Sequence, residues 1–194
     1  MRKIVVGEFV SLDGVMQAPG HSEEDREAGF TQGGWTMPYW HDEIGMVMFG
    51  SMQASDAMLL GRKTYQGFAG AFAAAPAGDP FVDHMNNTPK YVVSTTLDKA
   101  EWQNSTLIKG NVVEAIRKLK QQPGKDISVS GSCQLVHTLV QNDLVDEYTL
   151  LVYPLVLGNG KRLFPNGVDT KLKLVESKTF PTGVMLLRYV PDRK

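Results

Sequence analysis

Cysteine and long apolar runs are both nearly missing from this chain of 194 residues. The single cysteine, Cys133, excludes an intramolecular disulfide and a cysteine-based zinc cluster, and it favours a reducing compartment. No segment approaches the roughly 20 apolar residues that a membrane-spanning helix needs. Glu8 and Asp13 interrupt the apolar start of the chain, which argues against a signal-peptide core. We therefore expect a cytoplasmic protein with no membrane partner.

An excess of charge of either sign is also missing. The chain carries 20 basic and 21 acidic side chains, a net charge of −1, whereas electrostatic nucleic-acid binders show a clear basic excess. We therefore expect no nucleic-acid partner. The charge is unevenly distributed, because residues 1–60 hold 3 basic and 9 acidic side chains and the remainder holds 17 and 12. These parts form either two solvated faces or the two electrostatic ends of one pocket.

Most motifs of catalysis and cofactor binding are missing too. The sequence contains no G-x-G-x-x-G dinucleotide fingerprint, no P-loop and no G-x-S-x-G nucleophile motif. The four histidines, His21, His41, His84 and His137, lack the spacing of metal ligands, so we predict no metal site. A dinucleotide, if one binds, requires a fold other than the Rossmann fold.

What the sequence does contain is an alternation of short apolar strands and amphipathic helices, which is typical of an α/β domain. The length favours a single domain over residues 1–194. The predicted strands are 4–10, 57–60, 91–94, 127–129, 145–153, 171–180 and 184–190. The predicted helices are 42–54, 62–68, 80–85, 112 to near Pro123, and 133–141, and residues 70–78 are predicted to form a flexible insertion. Pro181-Thr182-Gly183 predicts an antiparallel hairpin that closes a mixed sheet.

Two small-residue turns each join a predicted strand to a predicted helix. Their residues are Gly61, Arg62, Lys63, Thr64, Gly131, Ser132 and Cys133. A helix N-terminus attracts phosphate because its first N–H groups have no acceptor within the helix, and Arg62 and Lys63 add positive charge. Each turn alone is more typical of ordinary chain reversal. Together with the hydroxyls of Ser94 and Thr95, which follow a third strand, they favour a dinucleotide.

Cys133 opens the second of these helices. A helix N-terminus can lower the pKa of a thiol, which would make Cys133 reactive. The alternative, and the more common role for a cysteine there, is that of a small buried residue.

Several motifs, in this order along the chain, resemble one known family. They are Ser11-Leu12-Asp13-Gly14, Gly34-Trp35, Leu60-Gly61-Arg62-Lys63-Thr64-Tyr65, Gly131-Ser132, Leu144-Val145-Asp146-Glu147-Tyr148, and the segment from Pro154 to Phe164. The family is the reductase domain at the C-terminus of the bifunctional riboflavin-biosynthesis deaminase/reductase, the RibD C-terminal domain, in a stand-alone form. The resemblance covers nearly the whole chain, whereas the zinc-binding deaminase half has no counterpart here.

The resemblance implies a fold, a cofactor and an assembly. The fold is a three-layer α/β/α domain with a dihydrofolate-reductase-like mixed sheet, the cofactor is NADPH, and the assembly is a homodimer. The implied cofactor contacts are Gly61, Arg62, Lys63 and Thr64 to phosphates, Ser94 and Thr95 to the adenosine end, and Gly131, Ser132 and Cys133 to the pyrophosphate. Arg62 and Lys63 would select NADPH over NADH through its 2′-phosphate.

Three residues are candidates for the chemistry that the resemblance implies. Asp13 would orient substrate or relay a proton, and a simple Asp13-Gly14 turn is the alternative. Glu43 stands nearest to the place where dihydrofolate reductases keep their carboxylate. Trp35, with Pro38 and Tyr39, would form a mobile wall over the nicotinamide, and a core aromatic is the alternative.

The function that follows from the resemblance is an NADPH-dependent reduction of a small molecule. The reaction would be similar to that of the riboflavin-pathway reductase, which reduces 5-amino-6-(5-phosphoribosylamino)uracil. One alternative is a pterin or dihydrofolate-type reductase, which is favoured if Glu43 points into the pocket. The other is a protein that senses NADPH without turnover.

Overall fold

The computed structural model describes residues 1–193, in which eight strands alternate with five α-helices. The strands are β1 (Ile4–Ser11), β2 (Ser55–Gly61), β3 (Lys90–Val93), β4 (Ser105–Ile108), β5 (Asp126–Val129), β6 (Glu147–Tyr153), β7 (Leu172–Thr179) and β8 (Met185–Pro191). The α-helices are α1 (Asp42–Gln53), α2 (Arg62–Phe72), α3 (Pro80–Asn87), α4 (Val112–Gln121) and α5 (Cys133–Gln141). Residues 12–41 form a long loop with two short 3-10 turns.

All eight strands belong to one mixed sheet in the order β4-β3-β2-β5-β1-β6-β8-β7. Strands β1 to β6 run parallel, whereas β8 pairs antiparallel with both β6 and β7. The predicted mixed sheet with an antiparallel close is therefore confirmed. Helices form the crossovers between the parallel strands, except between β3 and β4, which a loop connects.

Helices cover both faces of the sheet and form three layers. On one face, α4 and α5 bury Ile116, Leu135 and Leu139 against β1, β2 and β5. On the other face, α1 contributes Ile44, and α2 and α3 contribute Tyr65 and Met85. This arrangement is the predicted α/β/α architecture. Burial of these apolar side chains is the main force that holds the layers together.

The sequence prediction differs from the structure in two places. Helix α2 continues to Phe72 and enters the predicted flexible insertion, because alanine-rich sequence has the highest helix propensity. Strand β4 was not predicted, since it is a four-residue strand at the sheet edge with few apolar residues. Within residues 1–193, no helix is long and apolar enough to cross a bilayer.

Candidate active site

The carboxyl ends of five neighbouring strands, β3, β2, β5, β1 and β6, form one edge of the sheet. Most of the predicted site residues follow these strands directly. Ser94 and Thr95 follow β3, the Gly61 turn ends β2, the Gly131 turn follows β5, and Asp13 follows β1. Residues that are far apart in sequence therefore lie in one row, which is where ligands bind in parallel α/β sheets.

The Gly61 turn and the Gly131 turn pack directly against each other. The Gly61 N–H donates to the Gly131 carbonyl at 3.1 Å. A Cβ on Gly61 would overlap Ser132 Oγ, and a Cβ on Gly131 would lie 2.7 Å from Thr64 Oγ1. Gly131 also has a φ of +86°, which favours glycine. We call residues 61–64 and 131–133 the paired turns.

The paired turns bring two helix N-termini together without side-chain caps. Helices α2 and α5 begin after Gly61 and Ser132, and neither residue accepts a capping hydrogen bond. In contrast, α1, α3 and α4 are capped by the side chains of His41, Asp79 and Asn111. The first N–H groups of α2 and α5 thus have no side-chain acceptor, which is the arrangement that binds phosphate.

The two basic residues of the first turn have different surroundings. Lys63 Nζ donates to Asp25 at 3.2 Å and to Glu27 at 2.8 Å, and Lys161 pairs with the same two carboxylates. Burial raises the pKa of Asp25, but its hydrogen bonds, led by that from Lys161, lower the pKa overall. Arg62 instead donates to Gln66 at 3.0 Å. Within residues 1–193 Arg62 forms no ion pair, so its charge is available to an anion.

Ser94 and Thr95 extend the row beyond the paired turns. Strand β3 pairs with β2 so that Val93 lies level with Gly61. The Ser94 hydroxyl is buried and accepts hydrogen bonds from the N–H groups of Thr96 and Leu97 at 3.1 and 3.0 Å. Thr95 is exposed. Ser94 therefore shapes the loop, and Thr95 faces solvent at the outer end of the row.

Cys133 is a neutral thiol in this structure. Its Sγ lies 3.3 Å from His137 Nε2 and 3.5 Å from the Arg162 carbonyl oxygen. Burial raises the pKa of this thiol to about 11. The small buried residue, which is the more common role for a cysteine there, therefore fits this environment better than a reactive thiol, because desolvation outweighs the helix dipole here.

Asp13 holds two loops together at the end of β1. Its carboxylate accepts from Ser11 Oγ at 2.6 Å and from the N–H groups of Leu157 and Gly158 at 3.1 and 2.9 Å. Burial raises the pKa of Asp13, but these hydrogen bonds outweigh it and lower the pKa to about 2. An ionised carboxylate of this kind positions its neighbours and has no proton to give at neutral pH.

Trp35 lies in the core, with 6% of its surface exposed. Its indole N–H donates to the Gln17 carbonyl at 2.8 Å. Its ring meets that of Tyr153 edge-on at a centroid distance of 5.3 Å. This placement matches the core aromatic that was the alternative to a mobile wall.

Glu43 lies in the first turn of α1 and forms an ion pair across the surface. Lys178 Nζ on β7 donates to Glu43 Oε2 at 2.6 Å, and this hydrogen bond lowers the pKa of Glu43. Glu43 thus faces Lys178 and is absent from the walls of the two cavities described below. The pairing with Lys178 gives no support to the pterin-type alternative, which was favoured if the Glu43 side chain points into the pocket.

Glu8 is a carboxyl group near the Gly131 turn that was not among the predicted site residues. It lies within the central strand β1, and its Oε1 is buried with no hydrogen-bond partner among the described residues. Burial raises the pKa of Glu8 to about 8, although the nearby Gly131 N–H partly offsets this. A carboxyl between Val6 and Val10 in an apolar strand was the available signal.

Two cavities in the described part of the chain bear on the location of the site. One, of about 290 Å³, adjoins the carboxyl edge and includes Ser11, Asp13, Arg162 and Phe164 in its wall. The other, of about 470 Å³, lies between α1 and α3 near the start of β2, away from the row. No three His, Cys, Asp or Glu side chains within residues 1–193 are grouped as metal ligands.

Comparisons with known proteins agree with this architecture. The chain is 31% identical to the uncharacterized protein YyaP of Bacillus subtilis, over 97% of this chain and 94% of that protein. A putative riboflavin biosynthesis protein from Shewanella has a similar structure, with a TM-score of 0.68, 18% identity, and coverage of 99% and 100% of the two chains.

A longer solved structure has the same fold in one part. It is a diaminohydroxyphosphoribosylaminopyrimidine deaminase/5-amino-6-(5-phosphoribosylamino)uracil reductase from Thermotoga maritima, with a TM-score of 0.65 and 15% identity. The match covers 98% of this chain and 56% of that protein. These neighbours establish the dihydrofolate-reductase-like fold. Residues 2–186 match the family described as the RibD C-terminal domain, and the chain therefore belongs to that family.

Proposed function

We propose that the protein is an NADPH-dependent reductase of a small molecule, with the cofactor's phosphates at the paired turns. The observation that carries the proposal is the pair of uncapped N-termini of α2 and α5, which lie side by side at the carboxyl edge. Two positive helix ends suit a ligand with two adjacent phosphates. Membership of the RibD C-terminal domain family supports the reductase chemistry.

The residues present fit a dinucleotide with an additional phosphate. The N–H groups at the starts of α2 and α5 would hold the pyrophosphate, and Thr64, Ser132 and Cys133 would line that site. Arg62 would bind the 2′-phosphate through its guanidinium group, which suits phosphate geometry. Ser94 and Thr95 would meet the adenosine end. When bound, NADPH supplies a hydride to an electron-poor carbon.

The proposed substrate class is a ribosylamino-pyrimidine or a similar heterocyclic compound with a reducible C=N or C=O bond. Family membership and the riboflavin-related names of its structural neighbours support this class. Asp13 would act as a positioning residue, because it joins the end of β1 to residues 157 and 158 beside the cavity of about 290 Å³. A dimer of this single domain in the cytoplasm is the proposed working form.

A titration of protein fluorescence tests the cofactor assignment. We expect quenching by NADPH at concentrations at which NADH has little effect. Arg62→Ala should weaken NADPH binding about 10- to 100-fold, the value of one charge-assisted hydrogen bond of about 1.5–3 kcal/mol. Arg117→Ala, at an exposed position of α4, is the matched control. Equal responses to NADPH and NADH would contradict the assignment.

A further inference from the structure

Glu8 stands in a place where a carboxyl group is costly. Strand β1 is central, with β5 on one side and β6 on the other, and Ile4 and Val6 on the same face of β1 are fully buried. Across the sheet, Glu8 lies level with Leu150 of β6, which carries no charge. A buried carboxylate without a cation is strongly disfavoured, so such a group retains its proton.

No cation offsets the carboxyl of Glu8 within the described residues. Its Oε1 has no hydrogen-bond partner, and none of the ion pairs includes it. The nearby titratable groups are Glu24 of the long loop and Cys133 of α5, followed by Lys161 and Asp25 near Cys133. The carboxylate of Glu24 disfavours a second negative charge, and the neutral thiol contributes none. Glu8 therefore holds a proton at neutral pH.

That proton lies beside the paired turns. Val6 of β1 pairs with Val129 of β5, so two residues further on, Glu8 comes level with Gly131. The N–H of Gly131 is close enough to the carboxyl to affect its ionisation. Glu8 Oε1, the one buried carboxyl oxygen without a hydrogen-bond partner in the described chain, thus belongs to a side chain beside the turn to which we assign the cofactor.

We propose that Glu8 is the proton donor of the reductase reaction, an inference that rests on the proposed function. The substrate carbon of a C=N or C=O bond accepts a hydride, and the nitrogen or oxygen gains the electron pair of the broken π bond. The O–H bond of Glu8 then breaks, and its proton passes to that heteroatom. Glu8 is left as a carboxylate and regains a proton from solvent between turnovers.

Glu8 and Asp13 then have separate roles that their surroundings determine. Asp13 accepts three hydrogen bonds and stays ionised, whereas Glu8 has an oxygen without a donor and stays protonated. Asp13 lines the cavity of about 290 Å³, and Leu150, which lies level with Glu8 on β6, lines it too. Two neighbouring carboxyl groups with opposite pKa shifts commonly divide into a positioning group and an acid.

The protonation of Glu8 can be measured without cofactor or substrate. Side-chain carboxyl signals of isotope-labelled glutamates are followed by NMR as the pH is raised, in the wild type and in Glu8→Gln. We expect one carboxyl that titrates near pH 8 and is missing in Glu8→Gln. If every glutamate titrates in the ordinary range near 4.3, Glu8 is ionised at neutral pH and the proposal is wrong.

Steady-state kinetics then show whether Glu8 acts as a proton donor or has only a structural role. In Glu8→Gln we expect kcat to fall by about 10²- to 10⁴-fold, with the KM for NADPH nearly unchanged and the melting temperature no lower than that of the wild type. The wild-type rate should fall as the pH rises through about 8, and Glu8→Gln should lose this decline. Glu8→Asp should restore part of the rate, and Glu101→Gln, at an exposed position, is the control.

Two failures of this experiment are distinguishable. A wild type that oxidises NADPH, with a Glu8→Gln variant that keeps the same rate and pH profile, overturns the role of Glu8 alone. A wild type that neither binds nor oxidises NADPH overturns the proposed function and, with it, the role of Glu8.

Discussion

Asp13 shows how one side chain determines the form of the candidate site. Its carboxylate joins the end of β1 to the loop after β6 through the N–H groups of Leu157 and Gly158. The same residues also form a turn, because the Gly14 N–H donates to the Ser11 carbonyl. We call the three hydrogen bonds that the Asp13 carboxylate accepts the Asp13 clamp. Loss of the carboxylate should therefore affect the wall of the neighbouring cavity as well as stability.

We predict that Asp13→Asn lowers the free energy of unfolding by about 1–2 kcal/mol, because hydrogen bonds to a charged acceptor become bonds to a neutral one. Asp169→Asn, at an exposed position, is the control. The pKa of Asp13 is lowered from 3.8 to about 2, so the unfolded chain binds more protons between these values and stability rises with pH there. The difference between wild type and variant should therefore shrink as pH falls through this window. Urea titrations measure the free energy of unfolding of both proteins. If their difference stays constant from pH 5 to 2, the stabilising role of the Asp13 hydrogen bonds is contradicted.

Glu8 should have the opposite effect on stability. Its pKa is raised from 4.5 to about 8, so the folded protein binds the extra proton between these values, and the wild type loses stability as pH rises through them. We predict that Glu8→Gln is increasingly more stable than the wild type over this range, because an amide does not ionise. Urea unfolding at several pH values measures the gap. If the difference in stability between Glu8→Gln and the wild type narrows with rising pH, the prediction is wrong.

At the scale of elements, the N-termini of α2 and α5 depend on two glycines. A Cβ at position 61 would overlap Ser132, which would push the paired turns apart. We predict that Gly61→Ala weakens NADPH binding by at least tenfold, because the N–H groups of the two helices no longer converge. Gly67→Ala, in the middle of α2 with open space around it, is the matched control. It should stabilise the helix by about 0.5–1 kcal/mol and leave binding unchanged. If the two variants bind NADPH equally well, the assignment of the paired turns to the cofactor site is wrong.

The elements were largely predictable because their signals are local. Asn111 and Asp79 cap α4 and α3, Pro80 occupies the first turn of α3, and Pro181-Thr182-Gly183 separates the last two strands. Helix α5 begins and ends at the predicted residues, Cys133–Gln141. Strand β4 lacks such a signal, since its pairing with β3 is a property of the sheet. Local sequence cannot show a long-range partner.

The candidate site was predictable in position and less so in detail. The two small-residue turns were separate patterns in the sequence, and the β2–β5 pairing brings them into contact. The pairing of Lys63 with Asp25 and Glu27 depends on the path of the long loop. The neutral thiol of Cys133 and the buried carboxyl of Glu8 depend on desolvation, which only the packed structure determines.

At the scale of the whole molecule, the charge asymmetry of the sequence has a partial structural counterpart. Asp25 and Glu27, from the acidic segment of residues 1–60, form ion pairs with Lys63 and Lys161 from the basic remainder of the chain. The two parts of the chain therefore face each other across the loop that borders the paired turns. Arg62 remains without a carboxylate partner within residues 1–193, beside the start of α2.

The edge strand β7 makes the proposed homodimer testable. Leu174 and Val175 are 47% and 53% exposed on this strand, and unpaired edge strands favour association. We predict that light scattering after size exclusion gives twice the 21.4 kDa of one chain. Val175→Lys should shift the protein toward the monomer, whereas Val156→Lys, also exposed but away from β7, should not. A monomeric wild type would contradict the homodimer.

The central claim is that the paired turns serve an NADPH-dependent reduction. The most direct test is the loss of reduced-nicotinamide absorbance when the wild type is mixed with NADPH and 5-amino-6-(5-phosphoribosylamino)uracil, and then with related pyrimidines and pterins. We predict steady NADPH oxidation with at least one pyrimidine, slower oxidation of NADH, and a large loss of rate in Gly61→Ala. Binding of NADPH without oxidation by any compound of the panel would contradict the reductase and indicate a protein that senses the cofactor.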